Sequence, residues 1–477
     1  MMMDAFRKTK IIATLGPSSS SEEMIGRLMK AGVNVFRLNF SHGDHETHRK
    51  NAFLIRKLEQ ELQMHVAIMM DLQGPKIRIG TFEDGSANLK KGAKFQLDLN
   101  KEYGNSKRVM LPHPEILAAL KVGTEVLLDD GKIKLRVEEN TGTEVITEVL
   151  VDGIISNKKG LNIPNVILPI TALTEKDKRD VELAEEITAD WIAISFVQTA
   201  EDIRYARNFF SENIGVIAKI EKPSAVDHID SILEVSDGVM VARGDLGVEM
   251  PYESIPGIQR MIINKARYHH KPVIVATQML ESMINCPVPT RAEISDVSCA
   301  VAEGADAVML SAETASGKFP EEAALAMAKI AHRTELDQID FFDSKYSNLT
   351  SIAESLAKTV KIEKINTIAT FTETGRCAIN VSNSRSNADI FAFTPDIKTA
   401  RKLALVWGIK SILVDDIFSF SQMTQLVESE LSERCQFQDN EKVAIIAGLP
   451  FRSPGHTNFM YVYDIKAKSE TSAEEGE

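Results

Sequence analysis

Four cysteines, two tryptophans and seven tyrosines are all that 477 residues contain of those types. Cys286, Cys299, Cys377 and Cys435 show neither Cys-x-x-Cys nor Cys/His ligand spacing, which argues against a disulfide framework or a zinc site and for reduced, buried thiols. Positive charge is the minority sign, 55 Lys and Arg against 68 Asp and Glu, for a formal net charge of −13. That balance argues against nonspecific nucleic-acid binding, but not against a small anion, which responds to the local field of its pocket. No uninterrupted apolar run reaches membrane length, and residues 1–10 hold no apolar signal-peptide core. A cytoplasmic protein with no membrane or nucleic-acid partner is the expectation.

What the chain has is 44% hydrophobic residues, ample for a large core and, at this length, for more than one domain. Strand-length apolar runs recur at residues 10–16, 33–40, 66–74, 191–197, 216–221, 238–245, 272–279 and 307–312, with helical patterns between them. This alternation fits an α/β fold of the (β/α)8 TIM-barrel type; a doubly wound open sheet is the competing arrangement. Helix starts are marked by Ser21-Glu22-Glu23, by Thr174-Glu175-Lys176-Asp177 ahead of a helix ending near Ile187, and by the capping box Thr290-Arg291-Ala292-Glu293.

The third unit breaks the alternation. Residues 77–164 carry short alternating runs at 94–99, 125–128, 132–137 and 144–149, with Asp130-Gly131 as a tight-turn signal. The expected division is therefore a barrel from 1–74 and 165–342 and an inserted small β domain at 75–164. The insert is either a lid over the rim or a passive surface domain. A C-terminal α/β domain at 343–465 begins with a helix at 347–361 and has strands near 367–372, 389–393, 411–414 and 442–446. Residues 466–477, rich in Ser, Glu and Ala, form an expected disordered tail.

Charged and polar residues collect where the barrel runs end, the face on which such barrels place their sites. Lys219 and Glu221 are two apart and share a strand face, and Asp245 ends the neighbouring run, an arrangement that suits a divalent cation beside a lysine or a structural ion pair. Arg37, Asn39 and Ser41 also share a face; a guanidinium with neutral oxygens suits a phosphate or a hydrated cation. Asp71 adds a carboxylate, followed by Lys76 and Arg78. Thr277-Gln278 and Ser311-Ala312-Glu313-Thr314 close the last two runs, as site residues or as rim caps.

These stretches occur in the order found in one enzyme family. Lys10-Ile11-Ile12-Ala13-Thr14-Leu15-Gly16-Pro17, Arg37-Leu38-Asn39-Phe40-Ser41-His42-Gly43, Asp71-Leu72-Gln73-Gly74-Pro75-Lys76-Ile77-Arg78, Ala218-Lys219-Ile220-Glu221, Ala242-Arg243-Gly244-Asp245-Leu246-Gly247, Ala276-Thr277-Gln278-Met279-Leu280-Glu281-Ser282-Met283 and Met309-Leu310-Ser311-Ala312-Glu313-Thr314 make the chain resemble pyruvate kinases over nearly its whole length. The resemblance implies phosphoryl transfer from phosphoenolpyruvate to ADP, giving pyruvate and ATP, with Mg²⁺ (or Mn²⁺ in its place) on Glu221 and Asp245. It implies that Lys219 stabilises charge on the phosphoryl group and enolate, that Arg37 grips the phosphate, and that Thr277 belongs to the network protonating the enolate. Ser195, Arg243 and Gly244 would lie at the substrate, and Pro17, Asn39, His42 and Arg78 toward the nucleotide, whose phosphates bring a second Mg²⁺. A homotetramer with a C-terminal regulatory domain is implied as well. A mutase or C–C lyase acting on phosphoenolpyruvate has no need of the insert and nucleotide residues, and a catalytically dead sensor would not keep Lys219 with its two carboxylates.

One departure separates the chain from many relatives. Lys76 stands where they carry Glu, and Leu72 and Gln73 where they carry Thr and Lys, which resembles the K⁺-independent subgroup. A lysine ammonium supplies the charge otherwise brought by K⁺, so no K⁺ requirement is expected, while Asn39, Ser41, Asp71 and Leu72 mark where a monovalent ion would sit. In the C-terminal domain, Thr372, Thr374, Gly375 and Arg376 mark the loop where the family binds a phosphorylated effector. Glu373 within that loop favours a sugar monophosphate or AMP over fructose 1,6-bisphosphate, and an ordinary capped helix is the alternative. Residues 451–458 resemble the second loop of that site.

Overall fold

The computed structural model describes residues 7–337, 348–435, 441–450 and 457–465. Eight parallel strands close into a barrel: Lys10–Thr14, Val35–Asn39, Ala67–Asp71, Trp191–Ile194, Gly215–Ile220, Gly238–Ala242, Val273–Ala276 and Ala307–Leu310. Closure is made by the first and last strands, with Ala13 level with Leu310, and the open-sheet alternative is thereby excluded. The strands read as unbroken apolar runs because both faces are buried, one on the barrel interior and one under helices. Ile12, Met69, Ile217, Met240, Ile274 and Met309 fill the interior, joined by Ala404 and Leu405 from beyond the barrel, so the C-terminal domain closes its N-terminal end.

Helix starts follow their sequence signals. Ser21 caps Glu22–Lys30, and Thr174 and Thr290 form capping boxes on Glu175–Val181 and Arg291–Ala302. The helix expected to run to about Ile187 instead ends at Val181 and resumes as Leu183–Glu186.

Between the third and fourth barrel strands lies a separate apolar core, from Ile77 to Leu168, within a six-stranded sheet and a two-stranded one. The expected strands appear as Lys94–Asp98, Glu125–Leu128, Ile133–Asn140 and Glu144–Val151, with Asp129, Asp130 and Gly131 at positive φ in the turn. Short strands at Ser86–Leu89, Arg108–Met110, Gly153–Ser156 and Leu161–Asn162 and the helix Pro114–Ala119 add to what the alternation indicated.

The C-terminal unit is a five-stranded sheet, four strands parallel and the last, Phe459–Ile465, antiparallel at the edge. Its first helix is Ser351–Glu363, starting later than residue 347 because the Thr350 side chain accepts the Ala353 N–H. Residues 338–347, the expected boundary, the tail 466–477 and residues 451–456 lie outside the described part. Among the described residues no helix is long and apolar enough to cross a membrane.

Candidate active site

Arg37, Asn39, Ser41, His42, Asp71, Lys76, Arg78, Ser195, Lys219, Glu221 and Asp245 line one cleft of about 220 Å³ at the C-terminal rim, together with Gln73 and Phe196. Residues spread over more than 200 positions meet there because parallel strands all deliver their ends to one side. Gly74 holds the 71–78 segment close: its φ is +67°, and a Cβ there would lie 2.8 Å from the Ser195 Cβ.

Lys219 is the hub. Its ammonium lies 2.7 Å from Ser195 Oγ, 2.9 Å from Glu221 Oε1 and 3.2 Å from Asp71 Oδ1. Burial acts to lower its pKa, but Asp71 and Glu221 outweigh that and hold it above the ordinary lysine value, so Lys219 is a fixed cation. Asp71 is filled from both sides, since Arg37 Nε approaches Oδ2 at 2.6 Å while Lys219 takes Oδ1. Burial would raise the Asp71 pKa, yet the two cations hold it below the usual carboxylate range. Arg37 is further fixed by Thr14, whose hydroxyl accepts Nη1–H at 3.0 Å and donates to the Leu310 carbonyl at 2.9 Å.

Glu221 accepts the Phe196 N–H at 2.8 Å on its second oxygen. Its pKa is raised, first by burial and then by the charge of Asp245, against the pull of Lys219. Two carboxylates that repel across a cleft while keeping lone pairs free are a hard-oxygen donor set fit for Mg²⁺, which takes one or two protein carboxylates and completes its shell with substrate and water. Among the described residues no group of three or more His, Cys, Asp or Glu forms a metal cluster, so the other ligands would be non-protein or neutral oxygens.

Thr277, Arg243 and Gly244 form a second, adjoining network. Thr277 sits at φ +68°, donates to the Ala276 carbonyl at 2.6 Å and accepts the Gly244 N–H at 2.8 Å. The Arg243 guanidinium pairs with Asp296 at 2.6 Å and donates to the Thr277 carbonyl at 2.9 Å. None of the three lines the cleft itself, and neither does Pro17, in the turn where Ser18 N–H reaches the Ala315 carbonyl. Leu72 turns its side chain into the barrel core while its carbonyl accepts the Ser195 hydroxyl at 2.7 Å. Lys76 is exposed at the mouth.

Sequence reasoning missed Thr14, Gln73 and Phe196. Thr14 carried the same signal as the other sites, a polar residue ending an apolar run. Phe196 acts through its backbone N–H, which no side-chain pattern shows.

In the C-terminal domain, Gly375, at φ +83°, caps the helix Arg376–Asn383, and its N–H is already taken by the Thr372 hydroxyl at 3.0 Å. Glu373, Thr374 and Arg376 are exposed around it. Thr457 hydrogen-bonds Cys377, whose pKa is raised by burial, and so brings the end of the second loop onto this helix.

The family model described as "Pyruvate kinase, barrel domain" matches residues 6–324, and "Pyruvate kinase, alpha/beta domain" matches 350–463. A pyruvate kinase of Methylorubrum extorquens is 44% identical over 468 residues, covering 96% of this chain and 98% of that protein. One from Clostridium acetobutylicum is 40% identical, with 96% and 99% covered. The crystal structure of a pyruvate kinase from Cryptosporidium parvum superposes with a TM-score of 0.89 at 33% identity over 96% of each chain.

Proposed function

This chain belongs to the pyruvate kinase family, and on that premise we propose that it transfers the phosphoryl group of phosphoenolpyruvate to ADP, giving ATP and an enolate that is protonated to pyruvate. The observation that carries this reading is the convergence of Lys219, Arg37, Glu221 and Asp245 on one cleft, with Lys219 held as a cation by the carboxylates of Asp71 and Glu221.

Arg37, anchored by Asp71 and Thr14, presents a guanidinium that binds and orients the phosphate. Lys219 neutralises charge that develops on the phosphoryl group and then on the enolate oxygen; being already in place, it costs no reorganisation during transfer. Glu221 and Asp245 would hold Mg²⁺, or Mn²⁺ in its place. When bound, the ion supplies Lewis-acid neutralisation of the substrate oxygens. Thr277, with a hydroxyl fixed between Ala276 and Gly244, takes part in the network that carries a proton to the enolate carbon. Ser195, Arg243 and Gly244 shape the substrate side, and His42, Asn39, Arg78 and Pro17 the nucleotide side. The insert at 75–164 acts as a lid, since its first residues Lys76 and Arg78 reach the cleft.

The enzyme works without K⁺ in this reading. Asp71 has both oxygens occupied by Lys219 and Arg37, and the Lys76 ammonium lies at the mouth, so the place is already supplied with positive charge. Equal rates in tetramethylammonium buffer with and without K⁺ are expected; a many-fold K⁺ requirement would refute this. The Thr372, Thr374, Gly375 and Arg376 loop binds a sugar monophosphate or AMP, with Glu373 opposing a more highly charged ligand. Flat activity curves against both classes would leave it an ordinary helix cap. A cytoplasmic homotetramer completes the reading, and light scattering behind a sizing column tests its mass.

The direct test of the reaction is ³¹P NMR of the protein with phosphoenolpyruvate, ADP and Mg²⁺. Growth of the ATP γ-phosphate signal is expected. Consumption of phosphoenolpyruvate with ADP untouched would point instead to a mutase or lyase.

A further inference from the structure

Beside the site lies a buried ion pair to which neither the reaction nor the family resemblance gave a part. Lys222 Nζ reaches Glu249 Oε2 at 2.9 Å and Oε1 at 3.1 Å, with Lys222 4% and Glu249 7% exposed. Lys222 is the residue after Glu221, at the end of the fifth barrel strand, and its backbone is extended, so its side chain leaves on the side opposite to that of Glu221. Glu249 ends the helix Arg243–Glu249, one turn beyond Asp245 and on the same face. The pair is thus one residue from one proposed metal ligand and one helical turn from the other.

Two more bonds tie in the insert. Asn162 Nδ2 donates to Glu249 Oε1 at 3.0 Å, and Lys222 Nζ lies 3.5 Å from the Ile163 carbonyl. Leu161–Asn162 is the insert's returning strand, so one buried carboxylate fastens three pieces: the end of the fifth strand, the helix carrying Asp245, and the chain leaving the insert. Asp245, Lys222, Glu249, Asn162 and Ile163 line a common cavity at this junction.

We propose that Lys222 and Glu249 are positioning residues that set the separation of Glu221 and Asp245 and couple it to the seating of the insert. Lys222 has a second task. Without its charge Glu249 is a buried carboxylate with Asn162 as its remaining side-chain partner, in the same cavity as Asp245, and the tie between strand and helix is lost. The pair is neutral as a whole, so its contribution to the site is alignment rather than field. This rests on the reading that Glu221 and Asp245 hold the divalent ion.

The test uses Mn²⁺ as probe, with free Mn²⁺ followed by electron paramagnetic resonance, on the full-length chain and its variants. Lys222→Met and Glu249→Gln are each expected to weaken Mn²⁺ binding by about tenfold or more, the range for partners that orient metal ligands. The accompanying fall should be in kcat, with KM for ADP within about twofold of wild type, because the nucleotide residues are untouched. Lys222→Arg, which keeps the charge, should restore most of the affinity. If Lys222→Met does not fold, as judged by its melting curve, Glu249→Gln carries the test. Unchanged Mn²⁺ affinity in folded Glu249→Gln, or equal loss in Lys222→Arg and Lys222→Met, would overturn the proposal. Unchanged affinity in Asp245→Asn would instead overturn the metal-ligand reading on which it rests.

Discussion

Both ends of the barrel carry charged side chains and use them in opposite ways. At the N-terminal end the residue before a strand caps its neighbour: Asn34 accepts the Ile11 N–H, Asp190 that of Ile68, Asp237 that of Val216 and Asp306 that of Val273. Each of the four also meets a guanidinium, from Arg7, Arg56, Arg207 and Arg385 in turn. The Arg401 guanidinium meets Glu59 there, and Lys10 donates to the Ile409 carbonyl at 2.6 Å, joining barrel to C-terminal domain. At the C-terminal end, Asp245, Lys76, Arg78 and His42 instead face a cleft, and Glu221 is left in repulsion with Asp245. Buried charge alone therefore does not mark a site. Charge gathered on the lining of a cleft does, and the division matches the general assignment of chemistry to one barrel face and stability to the other.

If that contrast is right, substitutions at the two ends should separate activity from stability. The largest effect is expected from Lys219→Met, a loss of at least about 10³-fold in kcat, the scale of removing a preorganised electrostatic group. Its secondary structure by circular dichroism should be retained. Arg37→Ala should follow, with about 10²-fold lost in kcat/KM for phosphoenolpyruvate through the missing bidentate grip. Asp190→Ala reverses the pattern: it strips Arg56 of a buried partner and uncaps the Ile68 N–H, so urea unfolding should show about 3 kcal/mol lost while kcat stays within about twofold. A large kcat loss in Asp190→Ala would show that the two barrel ends do not divide activity from stability.

The last effect concerns pH and touches stability alone. Burial, then the charges of Arg7 and Lys410, lower the Lys10 pKa to about 7, against the pull of Glu335 and Asp306. The unfolded chain then binds more protons than the folded one between about pH 7 and the ordinary lysine value. Stability should therefore rise with pH through that window, with the burial penalty present in full below about pH 7. Lys10→Met should flatten that rise in melting temperature and leave the pH–rate profile unchanged.

Most of the architecture was legible in the chain because doubly buried parallel strands are continuous apolar words, and parallel closure sends their polar ends to one place. The antiparallel strand Phe459–Ile465 was not read because the βα alternation of that domain gives no expectation of a strand returning beside its predecessor. The two-residue strand Leu161–Asn162 is too short for any periodicity. At the site, residues acting through side chains at strand ends were visible, whereas the Phe196 N–H and the Lys222 to Glu249 pair exist only once distant segments pack. Lys222 follows the Lys219 and Glu221 motif directly, yet nothing in the sequence says that its partner stands one turn beyond Asp245.

On the proposed mechanism the C-terminal rim, with Lys219 at its hub, moves the phosphoryl group. Pyruvate formation coupled to lactate dehydrogenase, measured side by side for wild type, Lys219→Met and Asp190→Ala with phosphoenolpyruvate, ADP and Mg²⁺, tests it most directly. Rapid turnover in wild type and in folded Asp190→Ala, with essentially none in Lys219→Met, is the expected result. Absence of pyruvate from wild type, or turnover in Lys219→Met equal to wild type, would contradict it.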